Sequence, residues 1–252
     1  MAHCGISLNC RFLLQIDAFR VLARSFSCFG LTLLKRRSYL ELQQRAFPTA
    51  LVLCKRFGVN IGSVLHIGSH SGDEALEYWD LGIRDATFIE ASTEIFHRLL
   101  SNLNQFPTFI GINACLSDSF NEVEFNVASN DGASSSILKP ARHNHERPDI
   151  LFNSIVPIQT VTLDSLKLRN FDLVVIDVQG AEAKVITGGW NTIQQAKALY
   201  LECNVGNMYE GDISLHELVM LLKETFDLVF VDMCEARWGD CLFLNKKMTN
   251  RI

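Results

Sequence analysis

The chain is short of the signals that classify a protein at a glance. Its eight cysteines form no C-x-x-C pair and keep no regular spacing, which argues against a disulfide framework and against a thiolate zinc site. Cys54, Cys115 and Cys203 fall in apolar runs, so buried, reduced thiols of a cytoplasmic protein are expected. Basic patches are missing as well. The formal net charge is −5, and Lys35, Arg36 and Arg37 are the one tight basic cluster, so nucleic acid is not the expected partner. No apolar run is long enough to cross a bilayer. Arg11, Asp17, Arg20 and Arg24 interrupt the hydrophobic residues 8–34, whereas a spanning helix needs about 20 residues with few charges. The same stretch offers no small-residue cleavage site for a signal peptidase. One or two amphipathic helices that pack on the domain, on a partner or on a second copy of the chain are expected there, with peripheral membrane contact as the alternative. Internal repeats and long low-complexity linkers are absent too. At 252 residues and 48% hydrophobic content, the chain can bury one full core. The expected organisation is a helical N-terminal extension over 1–60 and a single domain over 61–252.

What is present is alternation. From Ser63 onward, short apolar runs rich in β-formers (SVLHIG, ATFIEA, TFIGINACL, FDLVVIDV, ALYLECN) alternate with stretches of helical periodicity. Near-continuous apolar strands separated by helices indicate a parallel sheet covered on both faces. The tail differs. FDLVFVDM and GDCLFLNKK are joined by too few residues for a crossover helix and should pair antiparallel at one edge. An α/β fold with a mostly parallel seven-stranded sheet and a C-terminal antiparallel hairpin is the layout of Rossmann-like class I methyltransferases. Between the third and fourth parallel strands lies an insertion, residues 123–150, with extended pieces around a Ser/Asn/Gly-rich loop.

Ligands of open α/β sheets bind beyond the carboxyl ends of the strands. The first such end is HIGSHSG, His66 to Gly72. A dinucleotide fingerprint reads G-x-G-x-x-G, and here its second glycine slot is His70, which argues against a pyrophosphate and so against a nicotinamide-dependent oxidoreductase. A glycine loop without a phosphate suits S-adenosyl-L-methionine. Glu90 ends the second strand about where an acid accepts both ribose hydroxyls, although Ser92 and Thr93 beside it could equally mark a helix start. The third strand is expected to end at Ala114, Cys115 and Leu116, with Ser117 and Asp118 just beyond, where adenine is commonly held. The fourth ends at Asp177, with Gly180 and Glu182 following; these acids can face the cofactor's ammonium and the acceptor, or serve as a helix cap and first-turn acid.

The order of HIGSHSG, FIEAS, NACLSDS, SNDGASSSIL, VTLDSL and IDVQGAE with GGW after it resembles the FkbM family of S-adenosylmethionine-dependent methyltransferases. The likeness runs from about Ser63 to Lys246, and IDVQGAE and the triple-serine loop are its most specific parts. It implies methyl transfer to a hydroxyl oxygen on a sugar, a glycan or a small-molecule natural product, with cofactor contacts carried onto Gly68, Gly72, Glu90 and Asp177. His66, Ser69, Ala91 and Ser117 complete the candidate cofactor set. Asp177 and Glu182 are the first candidates for a base, with His143 and His145 second. Asn130, Ser135, Ser136 and His143, in the insertion, are candidates for the acceptor side. His143 to Glu146 reads H-N-H-E, half a metal pattern at most, and no metal is expected. Two residues depart from the family's pattern: His66 stands where its glycine loop opens with an acid, and Gln179 where its D-x-E-G-x-E block has a glutamate. They motivate the alternative of a degenerate methyltransferase fold that acts as a binding module through its N-terminal helices. They also suggest that His66→Asp should tighten cofactor binding.

Overall fold

In a computed structural model of the chain, residues 46–233 and 237–249 are described. The helices expected over residues 8–34 lie outside them. The main sheet has seven strands: β1 (Val64–Ile67), β2 (Ala86–Glu90), β3 (Phe109–Asn113), β7 (Leu173–Ile176), β8 (Ala198–Asn204), β9 (Phe226–Met233) and β10 (Trp238–Asn245), in the order β3-β2-β1-β7-β8-β10-β9. Five pair in parallel, and β10 runs antiparallel to both β8 and β9. This is the expected mostly parallel sheet with its C-terminal antiparallel hairpin. In detail, β10 does not sit at the edge. It inserts between β8 and β9, so the edge falls to β9.

Each parallel strand sends alternate side chains to opposite faces. Val64, Phe88, Leu173, Val175, Tyr200 and Leu242 face one core, closed by α1 (Ala46–Arg56), α2 (Ala75–Asp80) and α3 (Thr93–Leu103). Leu65, Ile67, Ile89, Val174, Ile176 and Leu201 face the other, closed by α5 (Glu182–Gly188), α6 (Trp190–Ile193) and α7 (Leu215–Leu222), while α4 is the single turn His143–Glu146. A buried Phe or Leu in such a core stabilises the fold by about 1.5–3 kcal/mol. Helix α1 lies on the extension side of the expected boundary at residue 60, yet its Ala50, Leu53 and Cys54 share the first core with the sheet. Among the described residues no helix is long and apolar enough to cross a membrane. The described cysteines 54, 115, 203 and 241 are free and buried, and burial pushes the thiols of Cys54 and Cys115 up to about 12.

The expected third strand is in fact two. β3 stops at Asn113, and Cys115–Leu116 form β4 of a second, three-stranded sheet with β6 (Ser154–Val161) and β5 (Glu122–Val127). Asn113 causes the break. Its side-chain amide donates to the carbonyls of Glu90 and Ala91, at 2.8 and 3.1 Å, and turns the chain across the end of β2. The insertion returns over the sheet's carboxyl edge and is fastened there. Asp131 pairs with Arg98 at 2.6 Å, Ser136 donates to the Gln179 carbonyl at 2.8 Å, and the backbones of Lys139, Ala141 and His143 bond to the segment Met208–Glu210.

Gly68 decides how close the ends of β1 and β7 come. Its φ is +76°, and a Cβ there would lie 1.7 Å from the Asp177 carbonyl oxygen. Only a residue without a side chain admits that approach. Gly68→Ala is therefore expected to cost about 3 kcal/mol or more, read as a fall in the thermal unfolding midpoint. A variant that melts like the parent would show that the β1 and β7 loops can separate without loss.

Candidate functional site

Two cavities open at the carboxyl ends of the parallel strands. The smaller, about 70 Å³, is lined by the β1 and β2 ends (Gly68, His70, Glu90, Ala91), by Cys115 and Leu116, and by Ser135 and Ser136 of the insertion. The larger, about 220 Å³, lies over β7, β8 and β10 and is roofed by Asn130, Ser134, His143 and Tyr209. Ala133, Asp177 and Gln179 line both, so Asp177 stands where the two meet.

In the smaller cavity, Glu90 is buried at the end of β2 and is held by two backbone donors. Its Oε2 accepts the His70 backbone N–H at 3.0 Å and its Oε1 the Ser92 N–H at 2.7 Å, while Ser92 caps α3. Each oxygen keeps lone-pair capacity toward the cavity. Burial raises its carboxyl above the ordinary value, against the lowering effect of those two N–H donors. His70 has a φ of +49°, an unusual conformation for a non-glycine. Its ring lies 2.9 Å from the Asp131 carbonyl, tying the loop to the insertion.

The larger cavity is dominated by acids. Glu74, Asp177, Glu182, Glu202 and Asp240 all line it, and among the described residues no lysine or arginine lines either cavity. Asp240 lies opposite Glu202 across the β8–β10 pair, an arrangement of like charges that destabilises a sheet. Burial pushes the carboxyls of Glu74, Glu182 and Asp240 up to about 7, and neighbouring carboxylates add to the shift. Burial also carries Glu202 well above its ordinary range, with Asp177, Glu182 and Asp240 adding to the effect. Gln179 sits in the middle. Its amide donates to Asp177 Oδ1 at 2.7 Å and to Glu202 Oε2 at 2.8 Å, and the Tyr209 hydroxyl lies 3.1 Å from its Oε1. A neutral amide there donates to two acids beside which a glutamate would add a third charge. Glu182 Oε1 accepts the N–H groups of Val178 and Gly180, at 3.1 and 3.2 Å, and so holds the tight turn after β7. Gly180 itself has a φ of +94° and no room for a Cβ beside Tyr209.

The expected site residues divide accordingly. Gly68, Glu90, Ala91, Ser135, Ser136 and Asp177 line the smaller cavity; Asn130, His143, Asp177 and Glu182 line the larger. Ser69, Gly72 and Ser117 line neither. The Ser69 hydroxyl bonds the Ile89 carbonyl at 3.3 Å, Gly72 packs against Leu99, and Ser117 bonds Asp118 beside α5. His143 is buried and His145 is exposed, so the two do not converge on one ion; among the described residues no group is arranged to hold a metal.

The expectation for His66 needs correction. Alternation along β1 turns its ring away from the cavities into the first core, where it is 1% exposed. Its ring centroid is 5.8 Å from that of Phe88, Nδ1 is 3.5 Å from the Tyr78 hydroxyl, and Glu74 is 4.0 Å away. Burial pushes the imidazole down to about 3, so it is neutral. Glu74, Glu202, Asp240, Asn204 and Tyr209 went unread in the sequence. The end of ALYLECN offered a signal for Glu202, because it too is a strand's carboxyl end; Asp240 gave none, because β10 enters the site antiparallel.

A family model described as Methyltransferase FkbM domain matches residues 66–228. The curated protein 2-O-methyltransferase NoeI of Sinorhizobium fredii (strain NBRC 101917 / NGR234) is 28% identical over 196 residues, which are 73% of this chain and 80% of that protein. Methyltransferase FkbM from Methylobacillus flagellatus KT has a solved structure that matches with a TM-score of 0.53 at 14% identity, over 93% of this chain and 60% of that one. The chain thus spans less than two thirds of that structure's length, and the likeness is one of fold.

Two outcomes are expected from the buried acids. The folded chain keeps protons on carboxyls at about 7 that the unfolded chain releases near pH 4, so stability falls as pH rises between those values. The melting temperature of the ligand-free protein should drop across that window, and Glu202→Gln should blunt the drop; a flat profile would contradict the assignment. His66→Asp would bury a carboxylate beside Glu74. It should destabilise by about 3 kcal/mol, seen as a lower melting temperature, rather than tighten any ligand.

Proposed function

The chain belongs to the FkbM methyltransferase family, and from that premise we propose that it transfers a methyl group from S-adenosyl-L-methionine to a hydroxyl oxygen of a sugar, glycan or small-molecule acceptor. The observation that carries the cofactor assignment is the acidity of the paired cavities: five acidic side chains line the larger one and, among the described residues, no lysine or arginine lines either. Such a chamber favours a permanent cation and opposes a phosphate. A sulfonium cofactor fits, and the pyrophosphate of a nicotinamide cofactor does not. The bound cofactor supplies an electrophilic methyl on a positively charged sulfur.

In this reading the chain's own residues bind, align and exclude. Glu90, with lone pairs still free beside its two N–H bonds, accepts the ribose hydroxyls. Cys115, Leu116 and Phe125 form an apolar wall for the base. Asp177, at the junction of the cavities, faces the cofactor's positive end, and Gln179 holds Asp177 and Glu202 in place by donating to both. The acceptor takes the larger cavity. Holding oxygen, carbon and sulfur in line there supplies much of the acceleration of a displacement. The name 2-O-methyltransferase carried by NoeI supports oxygen as the accepting atom.

Isothermal titration with S-adenosylmethionine and S-adenosylhomocysteine tests the cofactor. Mass spectrometry of glycosides with a free 2-hydroxyl, after incubation with labelled cofactor, tests the transfer. Asp177→Asn is expected to lower methyl transfer by about 10²-fold or more while the protein still folds. Unchanged turnover would displace Asp177 from the centre of the site, and no binding at millimolar cofactor would sink the enzyme reading.

A further inference from the structure

We propose that His143 Nδ1 is the base that takes the proton of the acceptor hydroxyl, an inference that rests on the function proposed above. His143 lines the larger cavity and is 5% exposed, and its Nδ1 is buried without a hydrogen-bond partner. An unpaired polar atom in such a place costs about 1–3 kcal/mol, a cost removed when a ligand hydroxyl donates to it. The ring is held in place. Its backbone N–H donates to the Met208 carbonyl at 3.1 Å, and the rings of Phe152, Tyr209 and Trp238 stand 5.3, 5.5 and 6.4 Å from it. The residue sits in an insertion strapped to the loop after β8.

The cavity's acids are poorer bases here. Glu182 Oε1 already accepts two backbone N–H groups, and Asp177 Oδ1 accepts the Gln179 amide. Glu202 is held toward its protonated form by burial and by three neighbouring acids. The imidazole, by contrast, is kept neutral. Burial lowers it first, Arg147 adds to the lowering and Asp149 opposes it. The other titratable groups that face the same space are Tyr209, Cys203 and the five acids. As the hydroxyl O–H breaks toward Nδ1, the oxygen's electron pair forms the bond to the methyl carbon. The C–S pair leaves on sulfur, which becomes a neutral thioether. The imidazolium then faces the cavity's acids and returns its proton to water.

The test uses the full chain and His143→Gln. Titration with S-adenosylhomocysteine should give the same affinity for both proteins. Nitrogen-15 histidine NMR of the S-adenosylhomocysteine complex, with the signal assigned by its loss in the variant, should show a bare Nδ1 and a midpoint below 6.5. With a methyl glycoside that the wild type methylates, the variant should lose about 10²–10⁴-fold in kcat, keep its KM for the cofactor, and lose the acid limb of the pH profile. An imidazole whose neutral form carries its proton on Nδ1 overturns the proposal, as does an unchanged kcat or a loss confined to KM. If neither protein binds S-adenosylhomocysteine, the function reading falls and this inference with it. Binding by both with a protonated Nδ1 removes the inference alone.

Discussion

The site is organised by the approach of Gly68 to the Asp177 carbonyl, where a Cβ would lie 1.7 Å away. With the ends of β1 and β7 brought that close, Asp177 comes to line both cavities, and the His70 N–H comes within reach of Glu90. Parallel strands on either side of a central pair leave such a crevice between their carboxyl ends. How narrow it is depends on one residue without a side chain. The insertion then closes it from above through Ser136, His70 and Asp131.

Against that geometry stands a concentration of negative charge that a folded chain does not ordinarily tolerate. Glu202 and Asp240 are paired across antiparallel strands, with Asp177, Glu182 and Glu74 around the same space. Without a ligand, the chain lowers the cost by holding protons on several of these groups and by placing the neutral Gln179 between two of them. Strain of this kind is the setting in which a bound cation would relieve the charge, as the proposed sulfonium cofactor would. Gln179, which looks like a lost carboxylate when the sequence is set beside its family, is a working part of that arrangement.

The two histidines that drew notice in the sequence have opposite surroundings. His66 packs between Tyr78 and Phe88 within a core, on the face of β1 turned away from the two cavities. His143 comes from the insertion and faces the cavity with one nitrogen unmatched. Burial keeps both neutral, but only the second has a lone pair with nothing to accept.

By itself the sequence determined the alternating strands and helices, the antiparallel tail, the break in the dinucleotide fingerprint at His70, and the acids that end β2 and β7. Periodicity, turn residues and strand ends are local properties, and local properties are written in order along the chain. Tertiary structure decided the rest. It set which face of β1 His66 occupies, split the third strand at Asn113, and placed β10 between β8 and β9 so that Asp240 meets Glu202. It also folded His143 and Tyr209 over the acids from segments far away in sequence. Those placements depend on which strands become neighbours and in which register, and a pairing between distant segments leaves no mark on either segment alone.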